Sequence, residues 1–284
     1  MNSATINDGH TYRVDEQLDA ASAYLSRWHA EHTGATGVVL GDLRDTAGRA
    51  SYDILAEAVV GRSPALDLAC GDGPLIEAVG ARTFVIGGDR SEAELRAARE
   101  RLGDRAPLLQ VAATALPVRD AVLACVACHF ALMLLQPLEN VLQEVRRVLR
   151  PGGRLVLALP APSGVEGGVW HALRAAMAAA TTVERFNPPP LQDDRVLVDV
   201  ELSSLLEQNG LVVVDRSDHE FRAAIPVEAA TTRLGLTYGP GLLAPQARAR
   251  FDDVLLREVR RLARSDGTVD FSMSVHRITA ERTS

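Results

Sequence analysis

Apolar and polar positions follow two different periods along residues 50–160. Short apolar runs alternate with stretches in which apolar residues recur at every third or fourth position. The short runs are typical of buried strands, and the longer period indicates amphipathic helices. This pattern predicts helices at residues 14–32, 50–60, 91–102 and 138–149 and from Pro74, and strands at residues 65–68, 83–86, 108–111, 122–128 and 154–159. Strands and helices that alternate in this way form a mostly parallel sheet covered on both faces.

The pattern is less regular after Pro160. Glycine and proline are frequent in residues 161–195, which include the run Pro188–Pro190. Helical periodicity and partial alternation return further on. They predict helices at residues 169–180, 198–209 and 245–264, and strands at residues 211–215 and 269–278.

A glycine-rich turn follows the first predicted strand. Residues 66–73 read LDLACGDG, and the second strand ends at Asp89, eighteen residues after Gly71. Glycines at the first strand end let the backbone approach a ligand, and an acid at the second can bind both hydroxyls of a ribose. Ile76 occupies the third glycine position of the dinucleotide fingerprint. The motif therefore predicts an adenosine-bearing cofactor and disfavours a nicotinamide dinucleotide.

Four blocks of the sequence resemble the class I S-adenosylmethionine-dependent methyltransferases of the small-molecule type 11 group. They lie at residues 66–73, 87–91, 115–117 and 149–155, so the resemblance covers about residues 50–160. It implies a Rossmann-like α/β fold with a seven-stranded, mostly parallel sheet, an antiparallel last strand and a helical cap. It also implies S-adenosyl-L-methionine as the cofactor.

The resemblance also implies a division of the chain. Residues 1–49 would be N-terminal helices that form part of a substrate lid, and residues 50–160 would be the cofactor-binding core. Residues 161–284 would complete the sheet, with cap insertions at about 161–195 and 222–266. Gly164, Gly167 and Gly168 would serve as hinges of a lid over a largely apolar pocket.

Cofactor-binding residues follow from the same blocks. Asp67 would approach the cationic amino end of the cofactor, or cap loop amides, and Asp89 would bind the ribose or lie near a helix N-cap. Arg90 would stack on the adenine or be solvated. Ala69 replaces the family's first glycine, and its methyl group should be tolerated if the backbone keeps a negative φ. The predicted cofactor-binding set is Asp67, Ala69, Gly71, Gly73, Asp89, Arg90, Ala113, Thr114 and Cys128, with the backbone amides of Ala113 and Thr114 at the adenine edge.

The acceptor side offers fewer signals. His129 follows the fourth strand, where open α/β sheets bind ligands, and is the first candidate for a general base. The alternative is that His129 only shapes the pocket. His171 and Glu166 are further catalytic candidates in the cap. Predicted substrate contacts are Tyr12, Tyr24, Trp28, Phe130, Met133 and Trp170.

No metal site is predicted. Cys125, Cys128 and His129 match a haem-attachment pattern, but residues three apart on a strand point to opposite faces. His29 and His32 form a pair on a predicted helix without a third ligand. The pair is typical of a solvated helix face.

Composition narrows the function. The chain has 284 residues, 47% apolar residues, a net charge of −7, three cysteines and no long apolar run. These values disfavour nucleic-acid binding and a membrane span. The three cysteines fit a reducing cytoplasm. A monomer or homodimer is expected, with a small-molecule acceptor as its partner. The leading hypothesis is methyl transfer to a small, neutral or weakly polar acceptor of bacterial secondary metabolism, at nitrogen, oxygen or carbon. The alternatives are a cyclase-like enzyme that keeps the cofactor without methylating and, less favoured, a nucleic-acid or protein methyltransferase.

Overall fold

A seven-stranded sheet forms the centre of the molecule. The computed structural model describes residues 14–161 and 168–284. The strands are β1 (Ala65–Leu68), β2 (Val85–Asp89), β3 (Leu108–Gln110), β4 (Leu123–His129), β5 (Leu149–Pro160), β6 (Leu211–Pro226) and β7 (Thr268–Arg282). Their order is β3-β2-β1-β4-β5-β7-β6. β1 to β5 pair in parallel, and β7 runs antiparallel to β5 and β6. The predicted fold class is confirmed.

Ten helices are found in the described residues. They are α1 (Val14–Glu31), α2 (Ala35–Leu40), α3 (Ser51–Val59), α4 (Pro74–Val79), α5 (Glu92–Leu102), α6 (Leu138–Val148), α7 (Gly168–Ala180), α8 (Asp199–Gln208), α9 (Val227–Gly235) and α10 (Pro245–Arg261). One core cluster packs α3, α4, α5, α7, α9 and α10 on the sheet, and a second packs α6 and α8. Because both faces are covered, every residue of β1 and β4 is buried.

The strands β6 and β7 are longer than the sequence predicts. They pair from Leu211 with Arg282 to Pro226 with Thr268. β6 lies at the edge of the sheet, and most of its residues are exposed or half-buried. Its sequence therefore lacks the apolar alternation of a half-buried strand, and backbone pairing with β7 sets its length. Residues 222–226, predicted as part of an insertion, belong to this strand.

The helix α7 packs on the sheet beside β7 and α10. The Trp170 indole is buried there, and its Nε1 donates a hydrogen bond to the Ser272 carbonyl at 2.7 Å. Its ring meets the edge of Phe271 with centroids 5.6 Å apart. Gly168 begins α7, whereas Gly164 and Gly167 lie outside the described residues.

The helix α1 lies over the C-terminal ends of the strands. It packs through a small separate cluster of Tyr24, Leu25, Trp28 and Ala35. The Tyr24 hydroxyl donates to the Tyr238 carbonyl at 2.6 Å. None of the helices described has the length and apolar content needed to cross a bilayer.

Candidate active site

A cavity of about 460 Å³ lies between α1 and the C-terminal ends of the parallel strands. Its polar wall comes from the β1–α4 loop, the end of β2 and the first turn of α5. Its apolar wall comes from α1 and from the segment after β4. The apolar lining residues are Leu18, Ala21, Leu25, Phe130, Ala131, Leu134, Leu135, Val141 and Leu191.

The β1–α4 loop turns through three residues with positive φ. Ala69, Gly71 and Gly73 have φ of 59°, 54° and 86°. The condition of a negative φ at Ala69 is therefore not met, and its backbone lies in the left-handed region that favours glycine. A Cβ on Gly73 would lie 2.7 Å from Leu102 Cδ1, so only glycine fits before α4.

Ile76, at the missing glycine position, packs against a glycine on β2 instead. A Cβ on Gly87 would lie 2.9 Å from Ile76 Cδ1 and 3.0 Å from Cys70 Sγ. The close helix–strand contact is thus preserved because the small residue lies on the strand. This explains why α4 can carry a large side chain at Ile76.

Asp89 turns its carboxylate toward the glycine loop. Its Oδ2 accepts a hydrogen bond from Gly71 N at 2.9 Å, and its Oδ1 accepts one from Ser91 N at 2.8 Å. The side chain lines the cavity and is half-buried. Each carboxylate oxygen can accept a further hydrogen bond, so Asp89 can hold the loop and bind a ligand hydroxyl.

Asp67 is a deeply buried carboxylate in β1. It is 2% exposed and lines the cavity, and its Oδ2 has no hydrogen-bond partner among the described residues. Burial raises the pKa of Asp67 to about 8, and the nearby charge of Asp89 adds to the shift. A buried carboxylate of this kind favours a cationic ligand group.

Three of the remaining predicted cofactor residues line the cavity, and Cys128 does not. Ala113 and Thr114 line the cavity beyond β3, as does Arg90. The Arg90 side chain is exposed, and its Nη1 donates to Ser22 Oγ on α1 at 2.7 Å. Cys128 is fully buried and is not among the lining residues, whereas Cys70 is. Burial raises the pKa of the Cys128 thiol to about 12.

His129 lines the cavity but is held in its wall. Its Nε2 lies 3.0 Å from Ser51 Oγ, and its ring stacks on Tyr52 with centroids 3.9 Å apart. Burial lowers the pKa of His129 to about 3. The imidazole is therefore neutral at physiological pH and accepts a proton poorly, which favours the pocket-shaping alternative over the general base.

Among the described residues predicted to contact the substrate, one lines the cavity and the others lie elsewhere. Phe130 lines the cavity, but Tyr24, Trp28 and Met133 are not lining residues. Trp28 stacks on His32 at 4.9 Å and packs against Tyr238. Trp170 is buried beside β7, and His171 is exposed on α7. Tyr12 and Glu166 lie outside the described residues.

Glu94 and its partners are cavity residues that the sequence analysis missed. Glu94 on α5 is 4% exposed, and its carboxylate accepts a hydrogen bond from Gly34 N at 3.1 Å. His29 Nδ1 lies 3.2 Å from Glu94 Oε1, and His29 Nε2 lies 3.3 Å from the Tyr238 hydroxyl. The order Ser91-x-x-Glu94 is a capping-box pattern, which indicates the start of a helix. It gives no sign that Glu94 also lines the cavity.

The residues that line the cavity fit the chemical groups of S-adenosylmethionine. The unpartnered Asp67 oxygen suits a cationic amino group, and the glycine loop leaves room for close backbone contact. Asp89 retains acceptor capacity for ribose hydroxyls. No cluster of potential metal ligands occurs in residues 14–161 and 168–284.

Comparisons with known proteins agree with this geometry. A stretch of 101 residues is 38% identical to the ubiquinone/menaquinone biosynthesis C-methyltransferase UbiE of Yersinia pestis, covering 32% of this chain and 40% of that protein. Another, of 123 residues, is 35% identical to a 37.1 kDa transposon protein of Streptomyces fradiae and covers 40% of this chain and 35% of that protein. The chain therefore matches well under half the length of these relatives.

Solved structures share the fold over most of the chain. The YcgJ protein of Bacillus subtilis aligns with a TM-score of 0.56 at 17% identity, covering 82% of this chain and 98% of that one. The [4+2]-cyclase SpnF aligns with a TM-score of 0.57 at 19% identity, covering 91% and 95%. Identities this low show the fold alone.

The strand order and the glycine loop at the cavity resemble those of the class I S-adenosylmethionine-dependent methyltransferases. Within that class, residues 66–157 match the type 11 family model described as a methyltransferase domain.

Proposed function

We propose that the protein transfers a methyl group from S-adenosylmethionine to a small-molecule acceptor held between α1 and the strand ends. The observation that carries this proposal is the buried carboxylate of Asp67 beside the glycine loop, whose Oδ2 has no hydrogen-bond partner in the described part of the chain. A carboxyl group this deeply buried is costly unless a ligand compensates it. The cofactor's amino group is such a ligand.

The bound cofactor supplies an electrophilic methyl group, so the protein has to align the acceptor and exclude water. Asp67, Asp89 and the amides of the glycine loop would hold the cofactor at the polar wall. Leu25, Leu134 and Leu191 lie among the apolar lining residues and would contact the acceptor. Because α1 covers the cavity, it would keep water from the reacting atoms.

The acceptor we propose is small and neutral or weakly polar. Ligand pockets of this kind are mostly apolar with a few polar groups. Arg90 is the one arginine among the lining residues described, and it is exposed and bonded to Ser22. An anionic acceptor would therefore find little compensation. A role in bacterial secondary metabolism is part of the proposal and rests on the sequence resemblance.

Calorimetric titration tests the proposal. The wild-type protein should bind S-adenosylmethionine and S-adenosylhomocysteine and should not bind a nicotinamide dinucleotide. A screen of candidate acceptors by mass spectrometry should then show a product heavier by one methyl group. Cofactor binding with a product of unchanged mass would support a cyclase-like enzyme, and absence of binding by either sulfur compound would refute the proposal.

Asp89→Ala should weaken S-adenosylmethionine binding by more than about tenfold, since charge-assisted hydrogen bonds contribute roughly 1.5–3 kcal/mol. Asp104→Ala is the matched control because Asp104 is exposed and distant from the lining residues. Circular dichroism should show both variants folded. An unchanged dissociation constant for Asp89→Ala would assign the ribose to another residue.

A further inference from the structure

Glu94 is a cavity carboxylate that helix capping does not account for. In a capping box the third helical residue would accept from the backbone N–H of the cap residue. Here Ser91 N donates to Asp89 instead, at 2.8 Å. The Glu94 side chain is therefore free to turn into the cavity wall, where its partners are Gly34 N and His29.

No arginine compensates the charge of Glu94 in the described part of the chain. Its ion-pair partner there is His29, which is charged only when protonated. Asp72 offers a contrast, because it lines the same cavity and pairs with Arg101. Glu94 thus places a nearly buried negative charge on the cavity wall, where screening by water is weak.

Glu94 lies next to the loop that would hold the cofactor. A Cβ on Gly71 would be 3.8 Å from Glu94 Oε2. Asp67 lines the same cavity and has a buried oxygen without a partner among the described residues. Two independent observations therefore point to a cationic ligand group at this wall.

We propose that Glu94 makes the cavity selective for the positively charged sulfonium cofactor over its neutral thioether product. The inference rests on the proposed function and adds a specificity-determining residue to it. Methyl transfer removes the positive charge from sulfur, so the substrate and product cofactors differ by one charge within the cavity that Glu94 lines. A fixed negative charge attracts the sulfonium and leaves the thioether unaffected, which favours product release.

The test compares three ligands by calorimetry: S-adenosylmethionine, S-adenosylhomocysteine, and sinefungin, which carries an amine in place of the sulfonium. The variant is Glu94→Gln, whose amide oxygen can still accept from Gly34 N, so the contact of α1 is kept and only the charge is lost. Glu92→Gln is the control, because Glu92 is exposed in the same helical turn. Glu94→Asp retains the charge if Glu94→Gln fails to fold.

The wild-type protein should bind both cationic ligands more tightly than S-adenosylhomocysteine. Glu94→Gln should lower that preference by about tenfold, the scale expected for a charge pair at intermediate effective dielectric, and Glu92→Gln should not change it. Equal losses for all three ligands would show that Glu94 only positions α1. A wild type that binds S-adenosylhomocysteine as tightly as S-adenosylmethionine would also overturn the inference, while leaving the proposed function intact. Absence of binding by any of the three would refute the proposed function itself.

Discussion

Asp67 is the residue at which stability and ligand binding oppose each other. Its carboxyl group is buried, and burial raises its pKa to about 8. The folded state therefore holds the proton more tightly than the unfolded chain, whose Asp pKa is about 4. The stabilisation that comes from the protonated Asp67 carboxyl group is fully present below about pH 4 and is lost as the pH rises through 8.

We expect Asp67→Asn to stabilise the protein at high pH and to weaken cofactor binding. The gain in the free energy of unfolding should be roughly 1–3 kcal/mol at pH 8.5 and smaller at pH 5.5, since the neutral amide avoids burying a charge. Urea unfolding at both pH values measures it. Asp266→Asn, at an exposed position, is the control. A gain independent of pH would show that the Asp67 proton is not linked to folding.

Ala69 is the second residue at which the structure makes a specific prediction. Its φ of 59° places a methyl group in the left-handed region. Ala69→Gly should raise the free energy of unfolding by about 0.5–1 kcal/mol, because relief of strain exceeds the entropy cost of glycine. Ala121→Gly, at φ 55° outside the cavity, should behave alike in thermal unfolding. A loss of stability at Ala69 alone would mean that its methyl group packs favourably.

At the scale of elements, the turn between α1 and α2 holds α1 in place over the cavity. Gly34 has a φ of 72°, and its N–H donates to Glu94. A Cβ there would lie 3.2 Å from Asp72 Oδ2. The helix α1 also packs through the small cluster around Trp28, separate from both main cores, and bonds to Arg90 and Glu94 through Ser22 and His29. A few contacts therefore decide whether α1 covers the cavity.

Gly34→Ala should weaken S-adenosylmethionine binding by roughly three- to tenfold, because it combines backbone strain with a clash at Asp72. Gly48→Ala is a closely matched control: its φ is 79°, and nothing lies within 4 Å of the added Cβ. Both variants should lose about 1 kcal/mol of stability in urea, but only Gly34→Ala should increase hydrogen exchange in α1. Equal cofactor affinities in the two variants would show that the turn does not affect the cavity.

At the scale of the whole molecule, ligand binding should stabilise the sheet as a unit. The cavity joins α1 to the ends of β1, β2 and β4, which belong to both core clusters. S-adenosylmethionine at about a hundred times its dissociation constant should raise the free energy of unfolding by about 2.7 kcal/mol. The same concentration should stabilise Asp89→Ala less. An unshifted transition in the wild type would contradict a site formed only in the folded state.

Much of the core could be predicted from the sequence because its signals are local. Strand, glycine loop and helix follow one another from Ala65 to Val79, and Asp89 ends the next strand. The burial of β1 and β4 on both faces produces the continuous apolar runs by which they were found. The edge strand β6 was predicted too short because backbone pairing, not side-chain burial, determines its length.

The sheet, the glycine loop and the acids Asp67 and Asp89 can be inferred from the sequence, since their signals lie in residues close together in the chain. Which other side chains complete the site depends on the tertiary structure. Glu94 meets Gly34 across 60 positions, and Tyr238 meets His29 across 209. The buried, neutral state of His129 likewise depends on Ser51 and Tyr52 packing from α3. Contacts between distant segments leave no periodic trace in the sequence, because each depends on how the elements pack.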